Sequence, residues 1–405
     1  MDVKVQARTP TQKTLPVLDA AGPGLRAREA LRDAVDTGVR NLRLAREAEM
    51  VGDYARAATL IQGRLTLEEF SQDPEAWLFF AKLCGRARGR QAAAEESLRQ
   101  AVQLLAEGSG NPSEDLAREV DFMLASLMLD RGRHTEAVAV FRTWHERNYD
   151  EPFYCFFLGL ALFLAGDPEA AKPLLQAAGK PQVWFQGVYD EEMMQAKLAA
   201  DSAVAPDPAP YAGYLQKLLD FGLPALVFTF VDQCGILPAE VLAREPIALA
   251  DAAASTLDRD YEAAVARLEP LLERDDVSAA AWRLAGQCYF QLQEPEKSLH
   301  ALQEAVQREP ELEDPVVYVR LGHVLLLKKR WKQARDAFLR SVRCEATAEA
   351  WSGVAIAEHR SDEVPAFYEA VLEAQLLDFE RPDVWALLTL AHMRLENFDA
   401  AESLK

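Results

Sequence analysis

Apolar, small and bulky positions recur along this chain with a period of about 34 residues. The recurrence is plainest in the second half. Trp282 is followed by Gly286, Tyr289, Ser298, Leu302, Ala305 and Pro310. Tyr318 opens the next unit, with Leu321, Gly322, Ala334 and Phe338 behind it. Trp351 leads Val354, Ala355, Val371 and Ala374, and Trp385 leads Leu388, His392 and Ala401. An earlier unit, from about residue 245, carries Ala264 and Leu268 in its second half. Four more units precede it, marked by Leu44, Ala45, Ala57 and Ile61, by Trp77, Ala81 and Ala93, by Leu124, Ala125, Ala137 and Phe141, and by Leu158, Gly159, Ala171 and Leu175.

The offsets within each unit are those of two antiparallel helices. Small residues let the two backbones approach at the crossing, and large ones fill the hole beside it. One such pair cannot bury its apolar face alone, so neighbours must stack. This is the tetratricopeptide repeat pattern, and it predicts an all-α solenoid without a sheet. Helix starts are signalled by Asp73-Pro74-Glu75, Asp167-Pro168-Glu169, Asp314-Pro315 and Arg381-Pro382-Asp383. Each places proline in the first turn, where its missing N–H costs nothing.

The pattern divides the chain. Residues 1–35 read as an N-terminal tail, 36–180 as a first array of about four repeats, and 245–405 as a second array of about five. The last repeat reaches Lys405 inside its second helix, so the array is expected to continue. Between them, residues 181–244 read as a linker and a helical hairpin outside the consensus. That hairpin is very apolar around Leu226-Val227-Phe228-Thr229-Phe230-Val231, and is expected to cover the start of the second array.

Composition sharpens this picture. Half the residues are apolar, and the net charge is −20. A chain this acidic repels phosphate backbones and anionic lipid, so neither nucleic acid nor membrane is expected as a partner. The five cysteines are scattered, which fits a reducing compartment and small core residues more than a disulfide framework or a zinc site. No phosphate loop, dinucleotide fingerprint, nucleophile elbow or HExxH motif occurs, and the six histidines are isolated along the chain. No catalytic, metal or cofactor residue is therefore expected, and the chain reads as a non-enzyme. His134 and His145 read as surface or partly buried structural residues.

The concave face is the candidate ligand surface, because the first helices of successive repeats line it. Counting along those helices gives Arg283, Gln287 and Phe290, then Val319, His323 and Leu326, then Ser352, Ile356 and His359, then Ala386, Leu390 and Met393. From these, Arg283, Gln287, Phe290, Val319, His323, Leu326, Ile356 and Leu390 form the candidate groove. It is mostly apolar, which suits either an amphipathic partner helix or packing against the chain itself. Two basic clusters interrupt the acidic background. They are Arg86-Ala87-Arg88-Gly89-Arg90 and the turn Lys328, Lys329, Arg330 and Lys332. Both read as solvated turns or as contacts for an acidic partner. The Lys/Asn clamp with which some repeat proteins hold a terminal carboxylate is not matched: the equivalent places show Arg283, Gln287 and Arg320.

Arg320-Leu321-Gly322 with Ala334, Trp351 with Gly353, Ile356 and Ala357, and Val384-Trp385-Ala386 with Leu388 and Leu390 carry a family likeness. Asp73-Pro74-Glu75-Ala76-Trp77 adds to it. Together with the order of array, insert, apolar helix pair and second array, the chain from about residue 40 onward resembles the C-terminal part of the cilia- and flagella-associated protein 70 family, or a related ciliary repeat scaffold. The resemblance implies a structural component of the motile cilium or flagellum axoneme. Its implied partners are other axonemal proteins, among them dynein-arm or central-apparatus components or tubulin. The alternative reading is a cytosolic repeat adaptor or co-chaperone.

Overall fold

The computed structural model describes residues 38–395, apart from residues 67, 108–113, 149–150 and 202–206. The expected tail, the middle of the expected linker and the end of the last repeat, with Ala401, lie outside the described residues. Among the described residues there is no strand. The helices come in antiparallel pairs. In the first array they are α1 (residues 38–50) with α2 (Tyr54–Leu65), α3 (Pro74–Arg86) with α4 (Gln91–Glu107), α5 (Glu114–Asp130) with α6 (His134–Arg147), and α7 (Pro152–Leu164) with α8 (Pro168–Ala177). A 3-10 turn at Gln182–Phe185 and α9 (Glu191–Ala200) follow. The apolar hairpin is α10 (Pro208–Asp220) and α11 (Pro224–Phe228), the latter running on as a π-helical turn, Thr229–Gln233.

The second array pairs α12 (Glu245–Leu257) with α13 (Tyr261–Leu272), α14 (Ala279–Gln291) with α15 (Pro295–Arg308), α16 (Pro315–Leu327) with α17 (Trp331–Cys344), and α18 (Ala348–Arg360) with α19 (Val364–Leu377). Then comes α20 (Pro382–Arg394). This is the all-α tetratricopeptide solenoid that the spacing predicts.

The start signals work as read. Proline occupies the first turn of α3, α7, α8, α10, α16 and α20, among others. The Asp73 carboxylate accepts from the Glu75 N–H at 2.9 Å, and Asp314 accepts from the Val316 N–H at 3.0 Å. Each cap satisfies a backbone donor that the first turn leaves open.

Small residues set the close crossings. The Phe338 ring on α17 is wedged between Gly322 of α16 and Gly353 of α18; a β-carbon would lie 2.6 Å from the ring at the first and 2.4 Å at the second. The hairpin joins the first array by the same device. Gly222, at φ +77°, lies so close to the end of α3 that a β-carbon there would sit 2.3 Å from the Gly85 backbone. The Tyr211 hydroxyl of α10 donates to the Leu175 carbonyl at 2.8 Å, which ties the hairpin to α8 as well.

The apolar interior is continuous from Ala45 to Ala254, taking in the first array, the hairpin and part of α12. Its centre is aromatic. Phe122 lies 5.1 Å from Phe141, 5.0 Å from Phe153 and 5.1 Å from Phe157, centroid to centroid. Four of the five cysteines are buried, as small core residues should be, and Cys344 is half-buried. Trp282 is buried, whereas Trp351 and Trp385 are only half-buried.

Candidate partner-binding groove

The first helices α12, α14, α16, α18 and α20 are arranged so that every third or fourth residue of each falls on one concave surface. The surface has two halves with different fates. Its half near the N-terminal ends of α16, α18 and α20 is taken by the chain itself. Glu47, Ala48, Met50 and Val51, from the end of α1 and the turn after it, line one small hollow together with Val316, Val319, Thr347, Glu349 and Arg381. Arg56 of α2 closes the same hollow. Val319 is accordingly buried, at 6% exposure.

This contact is a junction between the two ends of the solenoid. Asp378, in the turn between α19 and α20, is 1% exposed. Its carboxylate takes Arg56 at 3.0 Å and Arg40 at 3.9 Å. The Arg40 guanidinium also pairs with Glu380 at 3.1 Å and lies 4.1 Å above the Phe379 ring. Arg43 donates to the Leu377 carbonyl, a partner 334 positions away in sequence. Glu47 sits in the same junction. Burial raises its carboxyl to about 7, with Asp378 and Glu345 pushing the same way and Arg43 and Arg381 opposing.

Of the candidate groove residues, Val319 is thus covered by the first array and is removed from the open surface. The reason is that helix periodicity fixes the face on which it lies but not what closes over that face. Phe290, His323, Leu326 and Leu390 are half-buried, and Ile356 is 36% exposed. The rings of Phe290 and His323 stand 6.4 Å apart, and His323 is 5.3 Å from Phe338. Burial lowers the His323 pKa, favouring the neutral imidazole, and the ring packs between Phe290 and Phe338. Arg283 is ion-paired with Asp314 at 3.1 Å, and Gln287 accepts from Arg320 at 3.0 Å. The polar end of the candidate groove is therefore engaged within the chain. Leu326, Ile356, Leu390 and Met393, the last 50% exposed, remain as an accessible strip near the C-terminal ends of α16, α18 and α20.

The two basic clusters part company. Arg86 joins Glu49 at 2.9 Å and Asp220 at 3.2 Å, Arg88 joins Asp258 at 3.2 Å, and Arg90 donates to the Thr59 hydroxyl at 2.9 Å. Arg88 is exposed, as a solvated turn would have it, but all three arginines already have partners within the chain. The cluster fastens α1, α2, the hairpin and the second array together beside a hollow of about 510 Å³ lined by Tyr54, Asp220, Arg259 and Gln287. In the other cluster, Lys328 pairs with Glu296, while Lys329, Arg330 and Lys332 are exposed. His145 is fully interior, with Nε2 3.5 Å from the Cys155 sulfur, and burial lowers it to about 4. The junction residues Arg40, Arg56 and Asp378 escape sequence reading, because nothing in their local spacing differs from ordinary surface charges.

Among the described residues, no group of histidines, cysteines and acids is disposed to hold a metal, and no helix is long and apolar enough to cross a membrane. The geometry is that of a repeat solenoid with an extended concave surface, a class of fold that presents itself to other proteins. Within that class, residues 242–404 match the family model described as the cilia and flagella-associated protein 70 C-terminal domain. The resemblance read from the sequence is met over this second array. A human relative, "Cilia- and flagella-associated protein 70", is 21% identical over 140 residues, which is 34% of this chain and 12% of that protein. The matched stretch is thus a small part of the relative's length. Among solved structures, the repeat protein YrrB, described as having an unusual peptide-binding site, is 14% identical with a TM-score of 0.40, covering 47% of this chain and 95% of that one. A repeat protein from Cytophaga hutchinsonii is 13% identical with a TM-score of 0.39, covering 66% and 99% respectively.

Proposed function

We propose that this chain is a non-enzymatic scaffold of the motile cilium or flagellum axoneme, which holds other axonemal proteins through the open strip of its second array. The supporting observation is the coincidence of two features in one segment. The family match covers residues 242–404, and the same segment carries Leu326, Ile356, Leu390 and Met393 on adjacent first helices. Side chains so placed form a continuous apolar path, and each Å² covered by a partner contributes about 25 cal/mol. An amphipathic helix fits such a path. The contact would be modest alone and suits an assembly in which several surfaces add. Dynein-arm and central-apparatus proteins are the partner classes that the family resemblance suggests.

The test uses two exposed positions, so that folding is spared. Ile356→Asp with Met393→Asp should leave the helical circular dichroism signal unchanged and release the protein from detergent-extracted axonemes. Full retention of the folded double variant would show that the strip is not the attachment site. A wild-type protein that washes out with the soluble fraction would instead favour the cytosolic adaptor.

A further inference from the structure

The cations of the second basic turn do not end at the turn. Residues 328–343 carry seven basic residues and one acid, Asp336, in a chain whose net charge is −20. α17 turns Ala334, Ala337, Phe338 and Ser341 inward. Its opposite face therefore carries Lys332, Asp336 and Arg343, flanked by Arg335 and Arg340. Two of the seven basic residues are ion-paired within the protein. Lys328 pairs with Glu296, and Arg335 pairs with Asp336 at 2.9 Å. Arg340 lies 6.0 Å above the Tyr318 ring and is exposed. Lys329, Arg330, Lys332, Arg340 and Arg343 are all exposed, and among the described residues none has an acidic partner within ion-pair distance.

We infer that this outer face of α17 is a second docking surface, separate from the concave strip, and that it receives a glutamate-rich acidic peptide segment of another protein. Lys332 and Arg343 are eleven residues apart on one helix, which places them about 16 Å from each other. An extended peptide covers that span with about five residues. Alternate side chains of an extended peptide face the helix, so a run of five carboxylates presents about three to Lys332, Arg340 and Arg343 at once.

The same electrostatics select against larger polyanions. Screening limits the reach of each charge to about 8 Å at physiological salt. A short peptide lying on the row is within reach of its cations and samples little else. A membrane surface or a nucleic-acid duplex extends far beyond the row and meets the acidic remainder of the molecule. Pairing at an exposed surface is individually weak, so the contact depends on several cations together and on salt.

The inference does not depend on the concave strip, and its test is separate. A fluorescein-labelled peptide of about ten glutamates is titrated with the full chain at low salt and followed by anisotropy. The wild type should bind, and added salt should release the peptide. Lys332→Glu with Arg343→Glu should weaken binding about tenfold or more. A control, Arg142→Glu with Lys172→Glu on the first array, makes the same change in net charge at exposed positions and should leave binding within about twofold. Equal weakening in both variants would reduce the effect to net charge and overturn the assignment. So would an absence of binding at low salt. Tighter capture of vesicles rich in phosphatidylserine, or of a DNA duplex, would overturn the peptide as occupant.

Discussion

The two arrays share one repeat pattern yet solve its turns and its interior differently. In every described turn between the two helices of a repeat, one residue adopts a left-handed conformation. The first array and the hairpin place glycine there, at Gly52, Gly89, Gly132, Gly166 and Gly222. The second array places Arg259, Gln293, Lys329 and Asp362 there, at φ near +60°. A side chain in that conformation costs about 1–2 kcal/mol. The interiors differ in the same direction. The first array and the hairpin share one apolar mass built on aromatic rings packed mostly edge to face, whereas the second array is split among smaller clusters. In the second array, histidines take aromatic-packing places, as His359 does 5.0 Å from Phe367. The lesson is a division of labour. With its smaller, separate cores and strained turns, the second array, which carries the open strip and the basic face, is expected to be the half with the lower cost of local opening.

Core truncation should separate the two most strongly. Phe122→Ala and Phe338→Ala each remove a buried ring and should cost about 3–5 kcal/mol. Hydrogen exchange should then differ in reach. The Phe122 variant should loosen helices throughout residues 45–254, and the Phe338 variant should loosen α16 to α18 while α5 to α8 keep their protection. Uniform loosening in both variants would erase the distinction.

Gly222→Ala probes the tie between hairpin and first array. The β-carbon meets the Gly85 backbone and the left-handed φ is strained, so a loss of about 1–3 kcal/mol is expected in urea unfolding. Gly213→Ala, in the same hairpin with open space around it, is the matched control.

A smaller effect should follow pH. Burial in the junction raises Glu47, so the seated α1 favours its protonated form. The contribution is full below the ordinary glutamate value and fades as pH rises toward about 7. Exchange protection of α1 should fall as pH rises from about 4.5 to about 7, and Glu47→Gln should flatten that dependence. A slope that persists in the Gln variant would assign it to other groups.

The smallest effect concerns the turns. Lys329→Gly should stabilise the second array by up to about 1 kcal/mol, the relief of strain being partly offset by the freer unfolded chain. Gly132→Ala should do the reverse in the first array.

The fold was legible because each repeat announces itself locally. The Trp282, Gly286 and Leu302 spacing fixes a helix crossing without reference to the rest of the chain, and Asp314-Pro315 fixes where a helix begins. The groove was legible by half. Helix periodicity puts Ile356 and Leu390 on the same face as Val319, but it could not tell that α1 covers Val319. That depends on how far the solenoid curves over many repeats, a sum of small rotations that no single motif encodes. The outer cations were half legible too. The turn from Lys328 to Lys332 stood out as a run, whereas Arg340 and Arg343 join it only once the helix face is known.

Meeting of the two ends decides which half of the groove is open, and a distance measurement tests it directly. Spin labels at Val39→Cys and Leu376→Cys, both exposed positions, flank the junction. Double electron–electron resonance on the otherwise intact chain should give one narrow, short distance distribution, broadened by Asp378→Ala, which removes the acid shared by Arg40 and Arg56. A broad distribution in the parent, unchanged by Asp378→Ala, would mean that the ends do not meet and that Val319 is free to bind a partner.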